Sequence, residues 1–179
     1  IALARACQPT LVLIGRSPSP QPEPDYLSGV IEAAHIKQAL ATHGAASTPR
    51  ALDQQCRQVL ANREIEQTLS ALRDAGVTAE YRSVDVRDVA AVCELVEDLT
   101  RTYGPVRGVM HGAGVLADQR IEDKTREQFD RVFGTKIAGL RNVLGALQPE
   151  ELRCLILFSS FTARYGRKGQ VDYAIANEV

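Results

Sequence analysis

The sequence predicts an α/β protein with a Rossmann-like, doubly wound parallel sheet. Short, mostly apolar runs have the length of buried strands, and amphipathic helical patterns lie between them. Strands that alternate with helices pair in parallel through right-handed crossovers, which gives an open sheet with helices on both faces. The four predicted strands are residues 11–14, 77–84, 106–110 and 155–158.

The helical patterns are three apolar stripes, at residues 65–72, 89–99 and 129–147. Gly76 follows the first of them and is typical of a helix end. Because helices are expected on both faces of the sheet, the strands at 11–14 and 155–158 should be buried on both sides.

The alternation of strands and helices is interrupted after the first strand. Residues 17–24 read SPSPQPEP, which excludes both a helix and a central strand. A helix is predicted over about 29–42. A loop of small residues at 43–49 and a second helix from Arg50 follow it. We interpret 17–62 as an insertion within one partial domain, 1–179, and favour surface decoration over contact with a neighbouring domain.

Composition and charge exclude several classes of protein. The formal net charge is −1, so no basic surface indicates nucleic-acid binding. No apolar run is long enough to span a bilayer, and we expect a cytoplasmic domain. The four cysteines are widely spaced, so neither a metal site nor a disulfide framework is predicted. Cys93 and Cys154 fall within apolar patterns and are expected in the core.

Ligands of doubly wound sheets bind at the carboxyl ends of the strands. Small, polar and charged residues follow all four predicted strands, which packing alone does not explain. These residues are Arg16 and Ser17, Asp85 and Val86, His111 to Gly114, and Ser159 and Ser160.

Four residues near the end of the chain have side chains suited to carbonyl chemistry. Ser160 precedes Tyr173 by thirteen residues, and Asn177 follows Tyr173 by four, one helical turn away. Lys136 borders the apolar stripe at 129–147. A charged lysine beside a buried helix face is uncommon and calls for a structural or functional explanation. Each residue alone has an ordinary structural explanation, such as a strand-end cap for Ser160 or a snorkelling side chain for Lys136.

Together these residues resemble the short-chain dehydrogenase/reductase superfamily, and specifically the ketoreductase domains of type I polyketide synthases. Those domains carry a lysine twenty-four residues before the serine, as Lys136 is here, and exchange the usual positions of lysine and asparagine. HGAGV at 111–115 and GQVDYAIAN at 169–177 resemble further motifs of this branch. The Pro-rich insertion is similar to that of polyunsaturated-fatty-acid-type synthases.

The resemblance implies roles for the four residues. A ketone that accepts a hydride develops negative charge on its oxygen, which must be stabilised and protonated. Tyr173 would donate the proton, and Lys136 would stabilise the phenolate and contact the nicotinamide ribose. Ser160 would hydrogen-bond the carbonyl oxygen, and Asn177 would hold Lys136 or a water molecule in line.

The resemblance also implies NADPH as cofactor. Arg16 would pair with its 2′-phosphate, or it is a solvated arginine. Asp85 would lie beside the adenine, or it caps the helix that begins near Asp88. His111 is expected to be structural. The remaining candidates for cofactor binding are Ser17, Val86, Gly112, Ala113, Gly114, Lys136 and Tyr173.

Two glycines of that set have an ordinary alternative. Gly112 and Gly114 would let the backbone approach the cofactor, or they only make a tight turn. No glycine-rich phosphate loop occurs in the sequence, and we expect it, with the first strand of the sheet, upstream of residue 1.

The predicted function is therefore the reduction of a β-ketoacyl thioester by NADPH. The thioester would be carried by the phosphopantetheine arm of an acyl carrier protein, beside neighbouring synthase domains. Asp118 resembles an aspartate of the branch that gives the D-3-hydroxyacyl product, although Ala117 departs from that motif. Two alternatives remain open: a catalytically silent domain kept for structure or docking, and a stand-alone reductase of a small ketone.

Overall fold

The computed structural model describes residues 1–44 and 48–178. These residues form two compact units, Ile1–Ser83 and Val84–Val179. Each unit contains helices and one parallel ladder of two strands. The fold is the predicted α/β, Rossmann-like class. Among the described residues, no helix combines the length and the apolar character that a bilayer span requires.

The first unit pairs β1 with β2 in parallel, with Leu11 opposite Ala79 and Gly15 opposite Ser83. A small core of Ala4, Leu72 and Val77 packs beside this ladder. In chain order the unit consists of α1 (Ala2–Cys7), β1 (Leu11–Gly15), a 3-10 turn (Asp25–Leu27), α2 (Ala33–Thr42), α3 (Pro49–Asp74) and β2 (Ala79–Ser83).

The insertion has a hydrophobic core of its own. Leu27, Ile36, Leu40 and Cys56 are buried against one another. The helix predicted over 29–42 begins only at Ala33. The small-residue loop predicted at 43–49 lies in part, at 45–47, outside the described residues.

The two helices predicted from Arg50 and over 65–72 form one continuous helix of 26 residues, α3. Thr48 caps its first turn by accepting a hydrogen bond of 3.2 Å from the backbone of Ala51. Pro49 occupies the first helical position, where its missing N–H costs no hydrogen bond. The insertion boundary expected at 62 therefore falls inside a helix.

Arg63 fastens the Pro-rich segment to α3. Its guanidinium donates to both carboxylate oxygens of Glu23, at 2.7 and 2.5 Å. It also donates to the backbone carbonyls of Val30 and Leu27, at 2.5 and 3.0 Å. The guanidinium of Arg63 thus holds the Pro-rich segment at three residues, Glu23, Leu27 and Val30, although that segment has little regular secondary structure.

The second unit pairs β3 with β4 in parallel, with Gly108 opposite Cys154 and His111 opposite Leu157. In chain order the unit consists of α4 (Val89–Tyr103), β3 (Gly108–His111), a 3-10 turn (Ile121–Asp123), α5 (Arg126–Phe133), a π-helical segment (Gly134–Ala138), α6 (Gly139–Ala146), a 3-10 turn (Pro149–Glu151), β4 (Cys154–Leu157), α7 (Phe161–Tyr165) and α8 (Val171–Glu178).

The expectation that the strands are buried on both faces is wrong for this structure. All four residues of β4 are exposed, and β1 is half-buried with Ile14 exposed. Within the second unit, α4 packs against α6 and α5 against α8. Cys154, expected in the core, is exposed on β4, whereas Cys56 is buried.

The helix expected over 129–147 is divided by the π-helical segment Gly134–Ala138. Gly139 follows that segment and packs against Val86, where a Cβ atom would lie only 2.6 Å from a Val86 methyl carbon. The side-chain amide of Asn142 donates to the Val86 carbonyl at 2.9 Å. These contacts fix the helix that carries Lys136, and π-helical segments are frequent at functional sites.

Candidate active site

The end of β4 is joined to α8, the helix that carries Tyr173 and Asn177. The Ser159 hydroxyl donates a hydrogen bond of 2.7 Å to the backbone carbonyl of Asn177. The side-chain amide of Asn177 donates at 2.8 Å to the backbone carbonyl of Tyr173, one turn earlier. The two predicted residues therefore occupy adjacent turns of one helix beside the strand end.

Ser160 caps the short helix α7. Its side-chain oxygen accepts a hydrogen bond of 3.2 Å from the backbone N–H of Thr162. A serine hydroxyl has one donor and two acceptor positions, so this cap fixes the oxygen while the O–H remains free to donate. The alternative explanation of Ser160 as a cap is correct, and it leaves the predicted donor available.

Lys136 lies in the π-helical segment and points toward the strand that leads to Ser160. Its ammonium donates a hydrogen bond to the backbone carbonyl of Phe158. Burial lowers the pKa of Lys136 below its usual value. An ammonium that is partly removed from water acts more strongly on nearby charges than one in bulk solvent.

His111 supports the backbone of Lys136. Its Nε2 lies 2.8 Å from the Lys136 carbonyl, which can only accept, so Nε2 carries the proton. The side chain is buried, and burial together with the nearby Lys136 charge lowers the pKa of His111. The sequence predicted a structural His111, and its hydrogen bond to the Lys136 carbonyl agrees with that role.

Three of the four predicted residues, Lys136, Ser160 and Asn177, thus have contacts near the end of β4, and Tyr173 lies one turn before Asn177 on α8. Lys136 donates to the carbonyl of Phe158, the first residue after β4, and Ser159 donates to the carbonyl of Asn177. Ser160 is the next residue along the chain. Within the described part of the chain, the Oδ1 atom of Asn177 is buried and accepts no hydrogen bond. A buried acceptor of this kind calls for a donor, such as an ammonium or a water molecule.

The strand-end loop of β3 leaves room for a ligand at Gly114. A Cβ atom there would meet no described atom within 4 Å, and one at Gly112 would meet only Phe158, at 3.6 Å. Neither glycine has a positive φ, so the turn itself does not require glycine. The close approach of a bound group to the backbone here, with Ala113 between the two glycines, stays a prediction.

The alternative explanation of Asp85 as a helix cap is wrong. Asp88 caps α4, because its carboxylate accepts a hydrogen bond of 3.1 Å from the Ala91 backbone. Asp85 instead holds the guanidinium of Arg87 at 2.7 Å and its backbone N–H at 3.0 Å. Arg87 is a cation between β2 and α4 that the sequence analysis did not single out.

Arg16 and Ser17 belong to the first unit. Arg16 is exposed directly after β1. The Tyr81 hydroxyl donates at 2.7 Å to the Ser17 carbonyl, and burial raises the pKa of that phenol. A Cβ atom on Gly15 would lie 2.8 Å from the same hydroxyl oxygen, so a larger residue before Arg16 would require the Tyr81 side chain to shift.

Asp118 lies in a loop that is fastened to the segment before α8. Its carboxylate accepts a hydrogen bond of 2.8 Å from the side chain of Gln170. Gln119 donates its backbone N–H to the Gly169 carbonyl at 2.9 Å, and Gly169 has a φ of +87° that favours glycine. These bonds join a predicted stereocontrol residue to the helix that carries Tyr173.

An open groove of about 270 Å³ lies beside these contacts in the second unit. Three of its residues are cationic and one is anionic, so its lining is basic overall. The lining residues are Gln119, Arg120, Ile121, Glu122, Arg167, Lys168, Gly169 and Val171.

The same loop contributes a buried ion pair that the sequence analysis missed. The Lys124 ammonium lies 2.7 Å from the Asp172 carboxylate, and their side chains are only 4% and 1% exposed. The partners are 48 positions apart. No local pattern signals such a pairing, although a lysine within a loop and an aspartate beside Tyr173 were visible in the sequence.

The ketoreductase (KR) domain model matches residues 1–179, the whole chain. The chain belongs to the KR domain family. This membership places the KR domain among the oxidoreductases of the short-chain dehydrogenase/reductase superfamily, whose members bind nicotinamide cofactors.

Named relatives of this KR domain are parts of large synthases. It is 36% identical over 177 residues to a polyunsaturated fatty acid synthase polypeptide of Thraustochytrium sp., covering 93% of the chain and 6% of the relative. It is 40% identical over 116 residues to the polyketide synthase PksN of Bacillus subtilis, covering 65% of the chain and 2% of the relative. The chain therefore spans a small fraction of either protein.

Among solved structures, the KR domain is similar to an N-terminal ketoreductase from the macrolactin assembly line. The TM-score is 0.63 at 26% identity, and the match covers 95% of this chain and 32% of that one. The similarity confirms the α/β fold class. The chain thus corresponds to about a third of that solved ketoreductase.

Proposed function

We propose that this KR domain reduces a carrier-bound β-ketoacyl thioester to the 3-hydroxyacyl thioester with NADPH. The observation that carries the proposal is the gathering of Lys136, Ser160 and Asn177 at the end of β4, beside the helix of Tyr173. An acid, a hydrogen-bond donor and a cation around one point suit a ketone that becomes an alcohol.

The source of the proton that the carbonyl oxygen receives follows from the chemistry of the side chains. Tyr173 donates its phenolic proton to the carbonyl oxygen, and the partly buried ammonium of Lys136 stabilises the phenolate that remains. The free O–H of Ser160 holds the carbonyl oxygen in place, because the cap to Thr162 uses only an acceptor position. The buried Oδ1 of Asn177 has no donor among the described residues and would accept from a water molecule that returns the proton, or from the Lys136 ammonium if its side chain turned toward it.

NADPH, when bound, supplies the hydride that reduces the carbonyl carbon. The open backbone at Gly112 and Gly114 suits a flat ring that approaches closely. Arg16 is exposed directly after β1, where a guanidinium can pair with a 2′-phosphate. In this proposal Gly112 and Gly114 allow the cofactor to approach the backbone, and Arg16 supplies the positive charge that pairs with its 2′-phosphate.

The acyl carrier protein is the proposed partner, and the basic groove supports it. A phosphopantetheine arm carries one phosphate diester. Arg120, Arg167 and Lys168 line the groove beside the Asp118–Gln170 contact and would attract that phosphate. Asp118 at the same place is the proposed determinant of the D-3-hydroxyacyl product.

The alternatives predict different outcomes. A silent domain for structure or docking would have no use for the free Ser160 hydroxyl or the orphaned Asn177 acceptor. A stand-alone reductase of a small ketone would have no use for a cationic groove beside the Asp118–Gln170 contact. These observations favour the carrier-dependent enzyme.

The test is NADPH oxidation by the full-length protein with a carrier-bound β-ketoacyl thioester. Tyr173→Phe should lower kcat by about 10²- to 10⁴-fold, since it removes the proton donor. Tyr165→Phe is the matched control, because Tyr165 lies nearby on α7 and is 71% exposed. Turnover that is unchanged in Tyr173→Phe, or equally low in both variants, would refute the assignment.

A further inference from the structure

We propose that the buried Lys124–Asp172 ion pair is a positioning device that sets Tyr173 and the Asp118 loop relative to each other. Both side chains are buried and their hydrogen bonds go to each other and to neighbouring backbone groups, so we assign both as positioning residues. This inference rests on the proposed function, because it concerns the geometry of that same reaction.

Lys124 contacts two points at once. Its ammonium donates at 2.7 Å to the Asp172 carboxylate and at 2.7 Å to the carbonyl of Ala117, the residue before Asp118. The charge is nearly inaccessible, with 4% of the side chain exposed. The buried ammonium of Lys124 therefore joins the start of the Asp118 loop to the beginning of α8.

Asp172 carries the connection to the catalytic helix. One carboxylate oxygen accepts from Lys124, and the other accepts at 2.9 Å from the backbone N–H of Tyr173. Asp172 lies in the first turn of α8, where the helix dipole favours a negative charge. Movement of this carboxylate would move the backbone from which the Tyr173 side chain projects.

Two further bonds act between the same two segments. Gln170 holds Asp118 at 2.8 Å, and Gln119 donates to the Gly169 carbonyl at 2.9 Å. The ion pair is the only one of these three links that is charged and buried at both ends among the described residues. The arrangement joins residues 117–119 to residues 169–173.

Stability alone does not account for the pair. A buried ion pair can often be replaced by apolar side chains without loss of stability, because desolvation of the two charges offsets their attraction. Its directional bonds instead select one arrangement of the two segments. Reduction of a ketone to one of two epimers depends on such an arrangement, since about 1 Å of misplacement costs rate.

The experiment uses the full-length protein and a set of matched variants. Lys124→Met and Asp172→Asn each remove one charge, and the double variant removes both, so that no unpaired charge stays buried. Lys124→Arg keeps the charge. Arg126→Met is the matched control, since Arg126 forms an exposed pair with Asp130 on the neighbouring helix. Each protein is assayed for kcat, KM for NADPH, the ratio of 3-hydroxy epimers and the unfolding midpoint.

We expect the double variant to regain the unfolding midpoint that the single variants lose. Its kcat should stay at least about 10-fold low, with KM for NADPH changed less than about 2-fold and more of the minor epimer formed. Lys124→Arg should restore most of kcat. If kcat and the epimer ratio return to wild-type values together with the midpoint, the pair only stabilises the fold and the proposal is wrong.

A second readout keeps the two proposals separate. If the wild-type protein shows no turnover, the proposed function fails, and amide hydrogen exchange over residues 171–178 then tests the pair. Faster exchange in Lys124→Met and in the double variant than in Arg126→Met supports the positioning role. Equal exchange in all three proteins overturns the positioning role. The same comparison of exchange rates decides the matter if a variant cannot be assayed for turnover.

Discussion

The Nε2 of His111 donates a hydrogen bond of 2.8 Å to the backbone carbonyl of Lys136 and so ties β3 to the π-helical segment. The imidazole is buried, which lowers the pKa of His111 below its ordinary 6.5. The neutral ring is therefore part of the folded state. Protonation would place a second charge beside the Lys136 ammonium.

Stability should fall in acid because of His111. The unfolded chain takes up a proton near pH 6.5, whereas the folded chain resists it to lower pH. As pH falls below that value, protonation stabilises the unfolded state, and the free energy of unfolding decreases. His111→Gln, which keeps a donor but does not titrate, should remove this component of the pH dependence.

The measurement is the unfolding midpoint of both proteins from about pH 8 to about pH 5. The wild-type midpoint should drop more steeply than that of His111→Gln on the acid side of pH 6.5. Parallel curves for the two proteins would mean that the folded state does not hold this imidazole neutral.

Ser160 should act both as a helix cap and as a donor to the substrate. Ser160→Ala removes both roles and should cost about 1 kcal/mol of stability and about 10²-fold in kcat. Ser160→Thr keeps a hydroxyl and a cap, and should retain most activity. Asp88→Ala removes a comparable cap, that of α4, and controls for stability. Equal kcat for the alanine and threonine variants of Ser160 would contradict a donor role.

Arg16 should set the preference for NADPH over NADH. A charge-assisted pair with the 2′-phosphate contributes about 1.5–3 kcal/mol, so Arg16→Ala should lower kcat/KM for NADPH by about 10- to 100-fold. The value for NADH should change little, because NADH has no phosphate there. Arg50→Ala removes another exposed arginine of the first unit and serves as the control. An equal loss with both cofactors would argue against phosphate recognition.

The basic groove should matter only for a carrier-bound substrate. The Arg167→Glu/Lys168→Glu double variant should raise KM for the carrier-bound thioester by about 10-fold, with an effect that weakens at high salt. A short free thioester without a phosphate should be reduced at nearly the wild-type rate. Similar losses with both substrates would place these cations in the fold or the reaction rather than in carrier recognition.

The sequence predicted the parts of the site that share one element or follow a strand. Tyr173 and Asn177 lie one turn apart on α8, and Ser160 follows β4, because helical and strand periodicities are local. The pairing of Lys124 with Asp172 depends on a loop that returns to α8, and no local pattern reports it. The burial of β4 was predicted wrongly because a strand's burial depends on which elements pack against it, and an apolar run alone does not report this.

Two local features also escaped the sequence analysis. The π-helical segment around Lys136 has the same apolar stripe as an ordinary α-helix, so periodicity cannot distinguish them. The insertion looked like a Pro-rich surface segment, yet Leu27 and Ile36 are fully buried in a core that Arg63 secures. A few apolar residues among prolines carry little periodic signal even when they are buried.

A double-mutant cycle on kcat tests most directly whether Lys136 and Tyr173 act on one carbonyl oxygen. Lys136→Met, Tyr173→Phe and the combined variant are compared with wild type at saturating NADPH and carrier-bound thioester. If the ammonium acts through the phenol, the combined variant should lose about as much as Tyr173→Phe alone, because residues that act as a unit are not additive. Losses that multiply would show two independent effects and contradict the account.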